Sequence, residues 1–180
     1  MSVDYIRVTM PELYPYVLTA AGAISFWTLL VGFGAGRMRS SLFNDHDKIK
    51  EKYYEEHQNN FKKDLPKGGY PDNADGLFGD ELMYDEWWNF SQDQQKQKFF
   101  LEQVTSLVFM LLIIGLVYPI TSLVWVLCHT ICMHITSYGH KTTSFYRMLG
   151  GVPMNMSLLF AGSMAIVSLS DMISSIPKVE

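Results

Sequence analysis

Apolar residues are concentrated in four stretches, at about residues 13–35, 99–118, 120–138 and 152–172. Three of them lie in the second half of the chain. A helix rises ~1.5 Å per residue, so ~20 helical residues match the ~30 Å hydrocarbon core of a bilayer. The pattern therefore predicts four transmembrane helices that use the lipid bilayer as their main solvent.

A polar segment, residues 36–98, separates the first two predicted spans. Glycines end the first apolar stretch, and Gly36 is predicted to terminate the first helix. Only Pro119 separates the second and third stretches, which predicts a tight antiparallel turn. The predicted fold class is all-α: an integral membrane four-helix bundle with a long polar loop between helices 1 and 2. Residues 1–180 are predicted to form a single domain.

Two parts of the polar segment carry apolar side chains. A four-residue spacing predicts a helix over about 47–60 that lies on the membrane surface or on a neighbouring protein. Its apolar stripe comprises Ile49, Tyr53, His57 and Phe61. Further along, aromatic residues cluster between Tyr84 and Phe90, and aromatic residues just before a span are expected at a bilayer interface.

Charge and cysteine content exclude some function classes. The formal net charge is -4, which argues against nucleic acid as a partner. The two cysteines, Cys128 and Cys132, both lie in the third predicted span, so they are not the disulfide framework of a small secreted protein.

The distribution of basic residues predicts an orientation. Of the 14 Lys and Arg residues, all except Arg7 and Lys178 lie in residues 36–98 or 139–151. Four spans place these two segments on one side and both termini on the other. By the positive-inside rule, the segments 36–98 and 139–151 are expected to face the cytosol or the mitochondrial matrix.

Polar residues inside the spans are the candidate functional groups. Glu102 lies about one turn inside the second span, where an acid faces a partner or wet cavity, pairs with a base or reaches the headgroups. His129 and the nearby Cys132 allow a haem or metal ligand on one helix, or ordinary burial. One helix supplies too few ligands, so no metal site is predicted.

Several segments resemble the MAPEG family, which includes microsomal glutathione transferases and leukotriene C synthase. The first runs from Tyr14 to Phe26 and ends in the basic residues Arg37 and Arg39, the second is 69–72 followed by 84–90, and the third runs from Gln94 to Glu102. The resemblance extends weakly to residues 137–140. The resemblance implies a four-helix membrane fold. Enzymes of the family hold glutathione between the subunits of a trimer and stabilise its thiolate with an arginine.

The resemblance implies which residues of this chain would form a glutathione site. Gln94 and Glu102 match the polar run that begins the family's second helix, and Arg147 falls at or near the thiolate-binding basic position. In an active protein, these three residues would bind glutathione and Arg147 would be catalytic. A cation beside a thiol lowers the pKa of that thiol, which makes the nucleophilic thiolate available.

Departures from the family pattern argue against a complete site. Gln95, Gln97 and Phe99 stand where the family has Arg, His and Asn, and Thr136 and His140 replace two tyrosines. A glutathione site without most of its polar groups favours a protein that has kept the fold and lost the chemistry.

Two functions are therefore expected to compete. The first is a non-catalytic, MAPEG-like subunit without cofactor in a larger membrane protein complex, such as a respiratory assembly of the mitochondrial inner membrane. It would contact other membrane subunits through residues 36–98. The alternative is a divergent glutathione-dependent transferase or peroxidase, a homotrimer for which the endoplasmic reticulum is the alternative membrane.

Overall fold

The computed structural model describes residues 10–43, 47–65, 73 and 75–175. Within these residues the chain is helical and contains no strand. The described residues form five α-helices, α1 Tyr14–Phe43, α2 Asp47–Phe61, α3 Tyr84–Val117, α4 Pro119–Lys141 and α5 Ser144–Ser174, and a short 3-10 helix at Gly79–Glu81. Four of them, α1, α3, α4 and α5, are long and apolar enough to cross a membrane. The predicted all-α class is confirmed, and each of the four predicted spans falls in a helix that could cross a membrane.

The prediction of a long polar loop between the first two spans is wrong. Helix α1 continues through Gly36 to Phe43, α2 occupies residues 47–61, and α3 begins at Tyr84, well before the apolar stretch. Polarity was the reason for expecting a loop over 36–98, but a helix satisfies its own backbone hydrogen bonds wherever its side chains are solvated. The expected helix over 47–60 is confirmed by α2.

The turn between α3 and α4 is as tight as predicted, but it is centred one residue earlier. Tyr118 is its one non-helical residue, and Pro119 is the first residue of α4, where its missing N–H would be unpaired anyway. The Tyr118 hydroxyl donates a 2.7 Å hydrogen bond to the Asp171 carboxylate near the end of α5. This carboxylate raises the pKa of Tyr118 above its usual value. The turn and the end of α5 therefore meet at one end of the bundle.

The chain forms two compact units, of which the first contains the described residues 10–27 and 102–175. Its core joins side chains from α1, α3, α4 and α5: Tyr14, Val17, Ala21, Leu107, Leu111, Ile114, Trp125, Val126, Ala161 and Ala165. Helices α1 and α3 approach closely at Gly115. If this glycine were replaced by alanine, the added Cβ atom would lie 2.6 Å from Val17 Cγ1. Small residues at helix contacts are typical of membrane bundles.

Helices α4 and α5 pack with almost no space between their backbones. A Cβ at Gly139 would lie 2.2 Å from the backbone N of Arg147, and one at Gly150 would lie 2.5 Å from the backbone O of Cys132. Real Cβ atoms do not approach backbone atoms so closely, so both positions require glycine. The two glycines therefore determine how closely α4 and α5 pack.

The second unit contains the described part of residues 28–101. Phe43, Ile49 and Phe90 are fully buried at its centre, and the rings of Phe43 and Phe90 meet edge to face at 5.3 Å. Partly buried apolar side chains surround them: Met38, Leu42, Tyr53, Leu65, Phe78, Leu82 and Trp87. A segment expected to be mostly loop thus contains its own apolar core.

The apolar stripe of α2 is used mainly within the chain. Ile49 is buried, and the half-buried Tyr53 donates a hydrogen bond to the backbone O of Leu77 at 3.2 Å. Lys52 forms an ion pair with Glu81 of the 3-10 helix. Only Phe61, at the end of the stripe, is largely exposed, so most of the stripe packs on its own unit.

The outward faces of the long helices are apolar. In the most apolar 18-residue stretch of each helix, only 17% of the residues are buried in α1 and in α5, whereas 39% are buried in α4. Large apolar side chains therefore remain exposed along these helices, among them Leu29, Phe33, Phe109, Leu127, Ile131, Leu159 and Ile166. Such an exposed surface is unfavourable in water and suits lipid chains. The structure indicates an integral membrane protein, with α4 as the most enclosed helix.

Candidate functional site

The three candidate glutathione-binding residues lie on α3 and α5. Glu102 of α3 and Arg147 in the first turn of α5 belong to the first unit, and both are exposed. Gln94 of α3 is half-buried in the second unit. Neither the Glu102 nor the Arg147 side chain forms a hydrogen bond or ion pair with another described residue. The structure therefore leaves both charged groups available to a molecule outside the described chain.

Arg147 is held in place through its backbone. Its N and Cα pack directly against Gly139 of α4, while its guanidinium group is exposed. An exposed arginine can bind a thiolate, a carboxylate or a lipid phosphate, because each is an anion that matches its donor geometry. Its position gives it binding capacity but does not select one of these anions.

The three departures from the family pattern on α3 carry no cation. Gln95 is exposed, and Gln97 and Phe99 are half-buried. Gln97 packs over Gly32 of α1, where a Cβ would lie 3.4 Å from the Gln97 Nε2 atom. These side chains cannot stabilise a thiolate by charge, and Gln97 serves the packing of two helices.

His129 of α4 is a fully buried polar side chain within the spans. Its side chain is 0% exposed, and its Nδ1 lies 2.7 Å from the Ser157 hydroxyl of α5. The Trp125 indole N–H donates to the backbone O of Ser157 at 2.9 Å. These contacts join α4 to α5. The His129 Nε2 atom is buried without a hydrogen-bond partner among the described residues.

The structure does not gather metal ligands around this histidine. Cys128 is exposed and Cys132 is half-buried. No group of three or more His, Cys, Asp or Glu side chains that could hold a metal ion occurs in the described part of the chain. His129 thus functions in the packing of α4 against α5, with one imidazole nitrogen left unsatisfied.

Replacement of His129 by Leu is expected to leave stability within about 1 kcal/mol of the original. The Ser157 hydroxyl keeps its 2.7 Å bond to the Met154 backbone O, and the unpaired Nε2 atom is removed with the ring. His129→Ala instead leaves a cavity and should cost about 2–5 kcal/mol, as other large-to-small core changes do. Unfolding of the purified protein in mixed micelles by added SDS measures both values. A haem absorption band that His129→Leu abolishes would contradict this structural role.

Sequence reasoning missed the residues that connect the helices of the first unit. Ser157 and Asp171 accept or share hydrogen bonds with residues 28 and 53 positions away. An aspartate and a serine in an apolar helix were visible signals of polar contacts. Their partners were not visible, because helical periodicity carries no information about which faces meet.

No family model, curated protein or solved structure matches this chain. The resemblance to MAPEG proteins therefore stays a prediction from the sequence.

Proposed function

We propose that this protein is a non-catalytic, MAPEG-like membrane subunit of a larger membrane protein complex. The observation that carries the proposal is the packed second unit, built around the buried Phe43, Ile49 and Phe90. A loop that only joins two spans needs no apolar core of its own. A folded unit, by contrast, presents a rigid surface to a neighbour, and rigidity lowers the entropic cost of binding.

The side chains at the positions of the candidate glutathione site also support a non-catalytic role. Thiol activation requires a cation held close to the sulfur, preferably where water is excluded. Arg147, the cation that the resemblance implies, is exposed, and the amide and aromatic side chains of Gln95, Gln97 and Phe99 supply no positive charge. On this proposal the protein has no cofactor.

A divergent glutathione-dependent transferase or peroxidase is the second candidate. The exposure of Glu102 and Arg147 favours it, because both side chains are available to a ligand held between copies of the chain. Such a protein would be a homotrimer in which Gln94, Glu102 and Arg147 contact glutathione and Arg147 stabilises its thiolate.

The membrane itself is also part of the proposal. A basic segment facing the matrix fits a respiratory assembly of the mitochondrial inner membrane, and the same segment facing the cytosol fits the endoplasmic reticulum. We favour the mitochondrial inner membrane for the subunit and the endoplasmic reticulum for the enzyme.

Native electrophoresis of membranes solubilised in mild detergent tests the proposal. We expect the 20.6 kDa chain to migrate with other proteins in a much larger complex and to show no glutathione conjugation with an aromatic electrophile. Arg147→Ala should leave both results unchanged. A homotrimer whose conjugating activity is lost in Arg147→Ala would establish the enzyme instead.

A further inference from the structure

An exposed aromatic patch lies at the start of α3, within the second unit. We define the aromatic patch as Met83, Tyr84, Trp87 and Trp88. Met83 is 56% exposed, Tyr84 is 74% exposed and Trp88 is 45% exposed. The rings of Tyr84 and Trp88 stack at 6.1 Å with an interplanar angle of 26°. Large aromatic side chains with this exposure are typical of binding surfaces.

The aromatic patch lies too far along α3 to be in the bilayer interface. The apolar stretch of α3 starts at Phe99, and the eight residues before it, 91–98, are all polar. At ~1.5 Å per residue, Trp88 lies ~16 Å beyond Phe99 along the helix. The headgroup layer adds only ~5–8 Å to each side of the hydrocarbon core. Even if α3 is tilted by ~40° from the membrane normal, Trp88 remains more than ~12 Å from the hydrocarbon core of the bilayer.

The charge around the aromatic patch is also unfavourable for a membrane surface. Residues 68–95 contain no Lys or Arg, and their acidic residues are Asp72, Asp75, Asp80, Glu81, Asp85, Glu86 and Asp93. Asp80 and Asp85, close to the patch in sequence, are exposed. Carboxylates are repelled by anionic headgroups and attract basic groups. Glu81 is already paired with Lys52 of α2, so the exposed Asp80 and Asp85 are the carboxylates that make this surface complementary to a cation.

We propose that the aromatic patch binds a basic segment of a partner protein. An Arg or Lys side chain of that segment lies over the Tyr84 or Trp88 ring and is paired with Asp80 or Asp85. The face of an aromatic ring attracts a cation, and nearby carboxylates strengthen the attraction and orient the partner. This inference rests on the proposed function, because it specifies the chemistry of the neighbour that such a subunit contacts.

Site-specific photocrosslinking in native membranes tests the inference with the full chain. A benzophenone amino acid is placed at Trp88 or, as a control, at Phe61, which is 65% exposed at the end of α2. We expect Trp88 adducts with another protein, mapped to a peptide of net positive charge. Phe61 should not give this adduct.

Charge reversal of the carboxylates near the aromatic patch is a second test, and it has a matched control on α2. Asp80→Lys with Asp85→Lys should lower the yield of the Trp88 adduct about tenfold, because the carboxylates then repel the basic segment. Glu55→Lys with Glu56→Lys, two exposed acids of α2, should leave the yield unchanged. An unchanged yield in the Asp80/Asp85 variant, or no adduct at Trp88, would overturn the inference.

Adducts with lipid, with a second copy of this chain or with a peptide lacking net positive charge would also overturn it. The lipid outcome has an independent measurement in phosphatidylcholine vesicles brominated near the headgroup. In a Trp27→Phe, Trp125→Phe variant, the fluorescence of Trp87 and Trp88 should not be quenched.

If the chain still migrates in a large complex while Trp88 fails these tests, only this inference is lost. If no large complex exists, the proposed function is lost.

Discussion

Phe90→Ala will destabilise the second unit by about 3–5 kcal/mol, the cost typical of removing a buried aromatic ring. Phe90 is 0% exposed and packs edge to face on the equally buried Phe43. The ring also contacts the cluster that contains Ile49 of α2. Small folded units have total stabilities of only about 5–15 kcal/mol, so this loss should open α2 and the polar first half of α3.

Hydrogen exchange measured by mass spectrometry in detergent will show this opening. Amides of residues 47–61 and 84–98 should exchange faster in Phe90→Ala, while residues 119–141 keep their protection. Phe61→Ala is the matched control, because it removes the same side chain from a position that is 65% exposed. Equal protection in the two variants would show that the second unit does not depend on its apolar cluster.

Gly150→Ala should separate α4 from α5, although it adds a single methyl group. A Cβ there would lie 2.5 Å from the backbone O of Cys132 and 2.6 Å from the backbone N of Thr136. Backbone atoms cannot rotate away as a side chain does, so the helices must move apart. Overpacking typically costs about 1–3 kcal/mol, and we expect the upper end or more, since the loss includes the Ser157 contacts of His129 and Trp125.

Gly162→Ala on the same helix is the matched control. Its nearest neighbour would be Met110 Cε at 3.8 Å, an ordinary contact, and Gly to Ala inside a helix normally gains up to about 1 kcal/mol. Unfolding of each variant by SDS in mixed micelles, followed by far-UV circular dichroism, compares the two changes. Equal stability of Gly150→Ala and Gly162→Ala would mean that α4 and α5 are not in close contact.

Helix ends were predicted less well than helix positions. Hydrophobicity located every span, but it could not show that α1 passes Gly36 to reach Phe43 or that α3 starts at Tyr84. A span is limited by the thickness of lipid, whereas a helix continues for as long as its backbone is paired and its side chains are accommodated. Packing of Phe43 and Phe90 in one cluster explains why both helices extend beyond their apolar stretches.

The sequence also predicted the residues of the candidate site better than it predicted their surroundings. Glu102, His129 and Arg147 were identified from sequence as polar or basic groups in or near apolar helices, and the structure separates them by environment. His129 is buried against Ser157, while Glu102 and Arg147 are exposed. Residue type indicates what a group can bind. Only the neighbouring helices determine whether solvent, lipid or another side chain reaches it.

The amino-acid sequence by itself determined the helical class, the four apolar spans and α2, because each depends on local spacing and on transfer of apolar side chains out of water. Tertiary structure alone decided which faces meet: the glycine contacts of α4 with α5, the bond from Tyr118 to Asp171, and the core of the second unit. Several of these contacts join residues far apart in the chain, such as Tyr118 with Asp171 and Phe43 with Phe90. Their energies depend on distances of a few tenths of an ångström, which no local pattern of residues encodes.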